Sequence, residues 1–338
     1  MRKLASVQKI KALEPIAEAD AIEKAQVLGW ELVVKKGEYQ VGDLCVYVEI
    51  DSLLPPKPEF EFLRPRQFRI RTVRLRNQIS QGICFPLSIL PEGFVVEEGA
   101  DCTEALGIVK YEPPIPANLV GLMKGQFPSF IPKTDETRVQ VLQALLDKYA
   151  GEPCYITEKL DGSSVTFYYR DGEFGVCSRN LDLLEDPTST YWKVAQELEM
   201  QQKLASLGGN FALQGELVGE GIQGNKLNLK GQTVYFFNLY DMNKSRYVDF
   251  ENFDLIIRLL DLKMVPILDQ NYTLERSIAA LVAKANIKSS INPKIWAEGI
   301  VIRPLVEKND RAFSSDLANH GRVSFKVINP AFLLKYEK

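Results

Sequence analysis

The stretch YITEKLDGSSVTFYYR, residues 155–170, decides how the rest of the chain is interpreted. Apolar residues alternate up to Lys159, and a second alternating run begins after Asp161 and Gly162, which predicts a β-hairpin with the lysine at the end of its first strand. A lysine is a poor nucleophile at its ordinary pKa of about 10.4, and desolvation or a neighbouring cation activates it by lowering that pKa. A turn glycine lets a phosphate approach the backbone. Alone, the pattern favours an inert, exposed hairpin lysine.

Five further segments lie downstream in a fixed order: CSRN (177–180), LQGELVG (213–219), VYFFNLYD (234–241), AEGIVIRP (297–304) and SFKVIN (324–329). Two of them place an acid, Glu216 or Glu298, within an apolar strand. Such a carboxylate is either a satisfied core group or a site for a ribose or a hard divalent cation. Because side chains alternate along a strand, Phe236 and Phe237 point to opposite faces, and we predict that Phe236 lies in the core.

Taken in order, these segments resemble the nucleotidyl motifs of the covalent nucleotidyltransferase superfamily, which comprises polynucleotide ligases and messenger-RNA capping enzymes. Residues 19–55 and 69–87 resemble the N-terminal OB domain of the fifth family of ATP-dependent RNA ligases, and FIPKTDETRVQ (130–140) resembles its linker. Capping enzymes and most DNA ligases place the OB domain after the nucleotidyltransferase. Domain order therefore favours the RNA ligases.

The resemblance implies a role for each matching residue. Lys159 attacks the α-phosphate of ATP, and Lys326 contacts that phosphate. Asp161 binds the lysine amine or a water of the metal, and Gly162 lies beside the nucleotide. Phe237 stacks on adenine, and Arg179 contacts the ribose or a substrate phosphate. Lys133 and Arg138 contact the β- and γ-phosphates of ATP. Glu216 binds the ribose, and the ligands of Mg²⁺ or Mn²⁺ are Glu298, Glu216 and Asp161. Ser324 departs from the family, which often carries a lysine there.

We predict an α+β chain of two domains. The expected bounds are 1–112 for an OB-type β-barrel, 113–132 for a Pro-rich linker, and 133–338 for an adenylyltransferase (ATP-grasp-like ligase) domain of antiparallel sheets with flanking helices. Helical periodicity predicts a helix with Asp135 as its N-cap and Gly151 just past its end, and others near 189–207, 251–262 and 274–286.

An arginine-rich segment, RPRQFRIRTVRLRNQ (64–78), stands out in a chain with a net charge of −3. Its alternation slips by one residue, so we predict a single curved strand with a β-bulge near Thr72 and Val73. That strand presents four side chains on one face to a nucleic-acid backbone: Arg69, Arg71, Arg74 and Arg76. The alternative is a solvated edge strand whose charges block aggregation.

The composition of the 338 residues is that of a soluble globular protein. One histidine, His320, excludes multi-histidine metal centres and fits a polar loop, and the scattered cysteines fit reduced thiols. No apolar run is long enough to cross a membrane and the start lacks a signal peptide, so we predict a cytoplasmic protein. We expect a monomer that joins RNA ends at nicks with RNA on the 3′-OH side. The alternatives are a GTP-using capping-type enzyme and a non-catalytic nucleic-acid-binding protein.

Overall fold

The structure is a computed structural model that describes residues 3–112, 114, 119, 121–319 and 321–336. The chain divides into two compact units. The first comprises Met1–Pro113, Val139–Gln143 and Pro330–Lys338, and the second comprises Pro114–Arg138 and Ala144–Asn329. His320 and part of the predicted linker lie outside the described residues. None of the described helices is long and apolar enough to cross a membrane.

The first unit consists mainly of short strands. Its elements are β1 (Ala5–Pro15), β2 (Ile22–Val27), β3 (Trp30–Lys35), β4 (Leu44–Val48), β5 (Ser52–Leu53), β6 (Val73–Leu75), β7 (Gln78–Ser80), β8 (Ile83–Phe85), α1 (Thr103–Leu106) and β9 (Val109–Lys110), with 3-10 turns at Pro58–Arg66 and Leu87–Ile89. Five strands form an antiparallel sheet in the order β3-β2-β1-β4-β8. The pairs β5-β9 and β6-β7 complete the unit.

Strand β1 explains how this sheet curves. Its residues 5–9 pair with β4, whereas residues 10–15 pair with β2, and the register shifts between Ile10 and Ala12. A bulge bends a strand, so one strand serves two parts of a half-barrel. Trp30, Tyr47 and Phe60 are fully buried in its core. This architecture agrees with the predicted OB-type domain.

The arginine-rich segment is not the single bulged strand that we predicted from the sequence. Arg69 forms an isolated bridge with Leu53, and the chain then leaves that partner. Strand β6 pairs instead with β7 in a hairpin whose turn residues, Arg76 and Asn77, have φ values of 46° and 64°. Two consecutive positive φ angles suit the twist of a tight hairpin. The slip in alternation marks a change of pairing partner, not a bulge.

The second unit contains two sheets. Its strands are β10 (Met123–Gln126), β11 (Thr137–Arg138), β12 (Pro153–Lys159), β13 (Ser163–Arg170), β14 (Glu173–Cys177), β15 (Leu181–Leu183), β16 (Phe211–Gly219), β17 (Gln232–Asp241), β18 (Arg246–Tyr247), β19 (Ile267–Thr273), β20 (Gly299–Pro304) and β21 (Phe325–Ile328). Seven form the sheet β10-β15-β14-β13-β16-β17-β18, and five form β11-β21-β20-β12-β19. Strand β11 runs parallel to β21, and the other pairs are antiparallel.

The further helices are α2 (Gln143–Lys148), α3 (Thr190–Glu197), α4 (Met200–Ser206), α5 (Phe250–Leu259), α6 (Ile278–Lys284) and α7 (Pro330–Tyr336), and 3-10 turns occur at Val139–Val141, Gln223–Asn225 and Arg311–Phe313. Asp135 is not the N-cap of a long helix, because Thr137 and Arg138 pair with Phe325 and Lys326 instead. The helix predicted over 189–207 is divided between α3 and α4 at Glu199, whose φ is 53°.

Candidate active site

Strands β12 and β20 position the lysine that the sequence singles out. Lys159 is the last residue of β12 and lies opposite Gly299 of β20. Only three residues separate β12 from β13, and Gly162 is the last of them. A Cβ atom at Gly162 would come within 2.4 Å of the Leu217 carbonyl oxygen. A glycine is therefore required at this position because β16 passes so close to the turn.

The Lys159 ammonium lies among carboxylates. Its Nζ is 2.6 Å from Oε2 of Glu298, and the two side chains are 24% and 18% exposed. Burial lowers the pKa of Lys159, but the charges of Glu298, Glu216 and Asp161 outweigh it and raise that pKa above its ordinary value. The lowered pKa expected of an activated lysine is thus absent from this state. Lys159 holds its proton until something offsets the carboxylates.

Glu216 lies on β16, opposite Ser164 and Tyr235 of the neighbouring strands. Its Oε1 accepts a hydrogen bond of 3.1 Å from the backbone N–H of Gly162. Burial, with the nearby charges of Glu298 and Asp161, raises the pKa of Glu216 to about 8 against the opposing effect of Lys159. Glu216 therefore holds a proton more readily than an exposed carboxyl does, and a cation placed beside it would lower its pKa.

Asp161 is held by a lysine that the sequence analysis missed. Nζ of Lys226 is 2.5 Å from Oδ2 of Asp161 and donates a second hydrogen bond, of 2.9 Å, to the Gln223 carbonyl. Lys226 is 65 positions away along the chain and belongs to no motif. Its loop contains Asn225 and Asn228, both at positive φ. Asparagine and glycine adopt left-handed backbone more readily than other residues, so their clustering in this segment is the sequence signal of a turn.

The carboxyl groups clustered around Lys159 suit a divalent cation. Within the part of the chain that the structure describes, no group of three or more His, Cys, Asp or Glu side chains could hold a metal ion, so Glu298, Glu216 and Asp161 do not form a complete protein cage. Mg²⁺ is usually bound by one or two carboxylates, with water and substrate phosphates completing its shell. Glu298 and Glu216, which act electrostatically on Lys159, suit that kind of site.

An open cleft adjoins the lysine. It lies between the two sheets of the second unit and is lined by Thr134, Glu136, Thr157, Glu158, Lys159, Leu160, Glu216, Phe237, Val265, Val301 and Arg303. Phe237 sits at a register shift in β17, while Phe236 is fully buried, as predicted. A half-buried phenylalanine on one wall can stack with a base.

Two predicted phosphate ligands share a sheet face with Lys159. Lys326 of β21 lies opposite Val301 of β20, which lines the cleft, and Arg138 of β11 lies opposite Lys326. Directly opposed residues point to the same side of a sheet. Arg303, two residues beyond Val301, shares this face and was missed because it stands as a single arginine in an apolar strand.

Arg179 and Lys133 do not line the cleft. Nη2 of Arg179 is 2.6 Å from Oδ1 of Asp135, and Nζ of Lys133 donates to Oδ1 of Asn180 at 3.0 Å. Both side chains are largely exposed. These contacts join the segment before β11 to the connection between β14 and β15, at the surface of the second unit.

The four arginines predicted to contact nucleic acid have different surroundings. Arg69 stacks on Tyr111, with its guanidinium carbon 3.9 Å from the ring centre, and lies 3.4 Å from Asp51. Arg71 is half-buried, whereas Arg74 and Arg76 are exposed. The hairpin of β6 and β7 thus presents two of the four residues to solvent.

Comparisons with known proteins agree with this architecture. A family model described as an OB-fold domain matches residues 4–87, and one described as RNA ligase matches residues 152–328. The chain belongs to the RNA ligase family. The domain order and family predicted from the motifs are confirmed, as is the α+β fold with an N-terminal OB-fold sheet. Among curated protein sequences, none matches.

Solved structures of Naegleria gruberi RNA ligase are similar to this RNA ligase along its entire length. One with pyrophosphate has 39% identity and a TM-score of 0.88, covering 100% of this chain and 99% of the other. Two mutant forms, one with ATP and manganese and one with AMP and manganese, each show 39% identity and a TM-score of 0.88 over 98% of both chains.

Proposed function

We propose that the chain seals RNA ends through a lysyl–AMP intermediate on Lys159. As an ATP-dependent RNA ligase, it takes ATP as substrate and uses a divalent cation, consistent with the relatives described as bound to ATP, AMP and manganese. The observation that carries the proposal is the position of Lys159. It lines a cleft with Phe237 and Glu216, forms an ion pair with Glu298, and shares a sheet face with Lys326 and Arg138.

In the first step, Nζ of Lys159 forms a bond to the α-phosphorus of ATP as the bond to pyrophosphate breaks. The amine must first lose its proton, which Glu298 receives most directly because it is already hydrogen-bonded to Nζ. A bound divalent cation supplies positive charge that offsets the carboxylates and the triphosphate. Phe237 stacks on adenine, and Lys326 and Arg138 hold the phosphates on the shared face.

The AMP then moves to a 5′-phosphate end, and a 3′-OH attacks that end with release of AMP. Catalysis of such phosphoryl transfers is mainly positioning and charge neutralisation. Arg179 and Lys133, exposed near the cleft, are assigned here to substrate phosphates instead of buried nucleotide contacts. Gly162 provides the close backbone approach, and Asp161, Glu216 and Glu298 serve the metal and the ribose.

The substrate assignment goes further than the family. We assign the binding of the nucleic-acid backbone to Arg69, Arg71, Arg74 and Arg76. The proposed domain bounds are 1–112 for the domain that carries them, 113–132 for a linker and 133–338 for the adenylyltransferase domain. A nicked duplex with RNA on the 3′-OH side is the proposed substrate. A cytoplasmic location and a monomeric state remain predictions.

Incubation with α-labelled ATP or GTP, followed by denaturing electrophoresis, tests this function. We expect a covalent adduct with ATP that Lys159→Ala abolishes. An adduct formed only with GTP would indicate a capping-type enzyme, and no adduct from either nucleotide would leave a nucleic-acid-binding protein.

A further inference from the structure

Arg303 is a buried cation that lines the nucleotide cleft. Its side chain is 3% exposed, and it lies on β20 opposite Tyr155 of β12. The cleft is also lined by Val301, two positions earlier on the same face. An arginine is rarely this buried unless it is paired. Neither the motifs nor the proposed mechanism gives it a role.

Two neighbours fix the orientation of its guanidinium. Nη2 of Arg303 donates to Oε1 of Glu136 at 3.0 Å, and Nε donates to Oγ of Ser324 at 3.0 Å. Ser324 donates to the same Glu136 oxygen at 2.7 Å, which closes the network. Glu136 is itself only 7% exposed. Two buried polar side chains thus hold one planar cation in one position.

Stability alone does not explain this network. A buried ion pair commonly adds little over well-packed apolar residues, because desolvation costs about as much as the attraction returns. Its placement on the cleft face gives a functional reason. Ser324 and Lys326 lie two positions apart on the chain that forms β21, and Lys326 lies opposite Val301. Arg303 therefore extends the row of cations that begins with Arg138 and Lys326.

We propose that Arg303 is a phosphate-binding residue of the nucleotide site, with Glu136 and Ser324 as its positioning residues. A guanidinium has five N–H donors in a fork that matches phosphate oxygens. The bonds to Ser324 and Glu136 use two of them and a hydrogen bond with the Tyr155 side chain uses a third, which leaves two donors for an anion in the cleft. This role for Arg303 rests on the proposed ligase function, since the anion is the phosphate chain of ATP.

Equilibrium binding tests it in a Lys159→Met background, which removes the nucleophile and so prevents adduct formation. The two probes are ATP and adenosine, measured by calorimetry, because they share the base and ribose and differ in the phosphates. We expect Arg303→Met to weaken ATP binding by about 10- to 100-fold, the range for a lost hydrogen bond to a charged group. Adenosine binding should not change.

A charge-rescue variant separates the cation from its packing. In Arg303→Met combined with Ser324→Lys, an ammonium enters the same network beside Glu136, and we expect ATP affinity to recover while adenosine affinity stays constant. Arg322→Met is the matched control. Arg322 is also buried and paired, with Glu307, but stacks on Tyr247 and does not line the cleft. Its loss should leave the ratio of ATP to adenosine affinity unchanged.

An equal loss of ATP and adenosine binding in Arg303→Met, or no loss of either, would overturn the proposal. Should Arg303→Met fail to fold by circular dichroism, Arg303→Lys replaces it, and a loss confined to ATP is again expected. Absence of ATP binding in the Lys159→Met parent itself would count against the proposed function. Normal ATP binding by the Lys159→Met parent, with a ratio of ATP to adenosine affinity that Arg303→Met does not change, would show that Arg303 does not bind phosphate and would leave the proposed function intact.

Discussion

The cleft and the arginine-rich segment both concentrate charge, yet they arrange it in different ways. Around the cleft, charged side chains form close pairs, as in Lys159 with Glu298 and Asp161 with Lys226. In the first unit, Arg74 and Arg76 are exposed and form no ion pair with the described residues. Paired, half-buried charges fix one geometry for one small ligand. Exposed charges instead form a surface that adapts to a long polyanion.

The largest expected effect is the loss of the AMP adduct when the cleft is altered and the arginine-rich segment is not. Lys159→Ala should abolish the AMP adduct while nicked-duplex binding persists, because the exposed arginines remain. Lys159→Arg should fail as well, since a guanidinium is not deprotonated in proteins and cannot act as the nucleophile. Adduct formation and gel-shift binding measured on the same preparations check this. Persistent covalent AMP in either variant would contradict the account.

The second prediction concerns the carboxylate beside the nucleophile. Glu298→Ala should reduce adduct formation by about 1,000-fold, because charge neutralisation at the triphosphate is lost, an effect commonly worth several kcal/mol. Glu92→Ala serves as a surface control in the first unit, because its side chain is exposed. The measurement is the initial rate of adduct formation across manganese concentrations, with folding checked by circular dichroism. A folded Glu298→Ala variant with a normal rate would remove this residue from the site.

A glycine substitution tests whether the turn geometry matters. Gly162→Ala places a Cβ within 2.4 Å of the Leu217 carbonyl, so the turn must shift, and misplacement of about 1 Å can cost about 100-fold in rate. Gly125→Ala is the matched control, because no atom lies within 4 Å of its new Cβ and its φ is not positive. Equal adduct rates in the two variants would show that the turn tolerates the shift.

The smallest expected effect lies in the first unit. Arg74→Ser with Arg76→Ser should leave the adduct rate unchanged and weaken nick binding, with the salt slope reduced by about 0.9 for each phosphate that is no longer neutralised. Arg69→Ser should differ, because Arg69 packs on Tyr111 and its loss should lower the melting temperature as well. Binding titrations across salt, with thermal unfolding, distinguish these outcomes. If the double variant binds nicked duplex as tightly as the parent at every salt concentration, these arginines serve only to keep the protein soluble.

The same contrast explains what the sequence could predict. Lys159, Glu216 and Phe237 meet in the cleft because each motif occupies a strand and neighbouring strands bring their faces together. Lys226 and Glu136 reach the site from connecting segments, and no periodicity reports where such a segment leads. The prediction for the arginine-rich segment was wrong because alternation records which side chains share a face but not which strand is the partner.

One measurement tests the central claim most directly: peptide mapping by mass spectrometry after reaction with ATP and manganese. We predict AMP on the peptide that contains Lys159, with its phosphoramidate bond cleaved by acid and retained in alkali. Addition of a nicked RNA substrate should discharge that AMP as sealed product accumulates. AMP on any other lysine, or sealing by a protein that never carries AMP, would contradict the account.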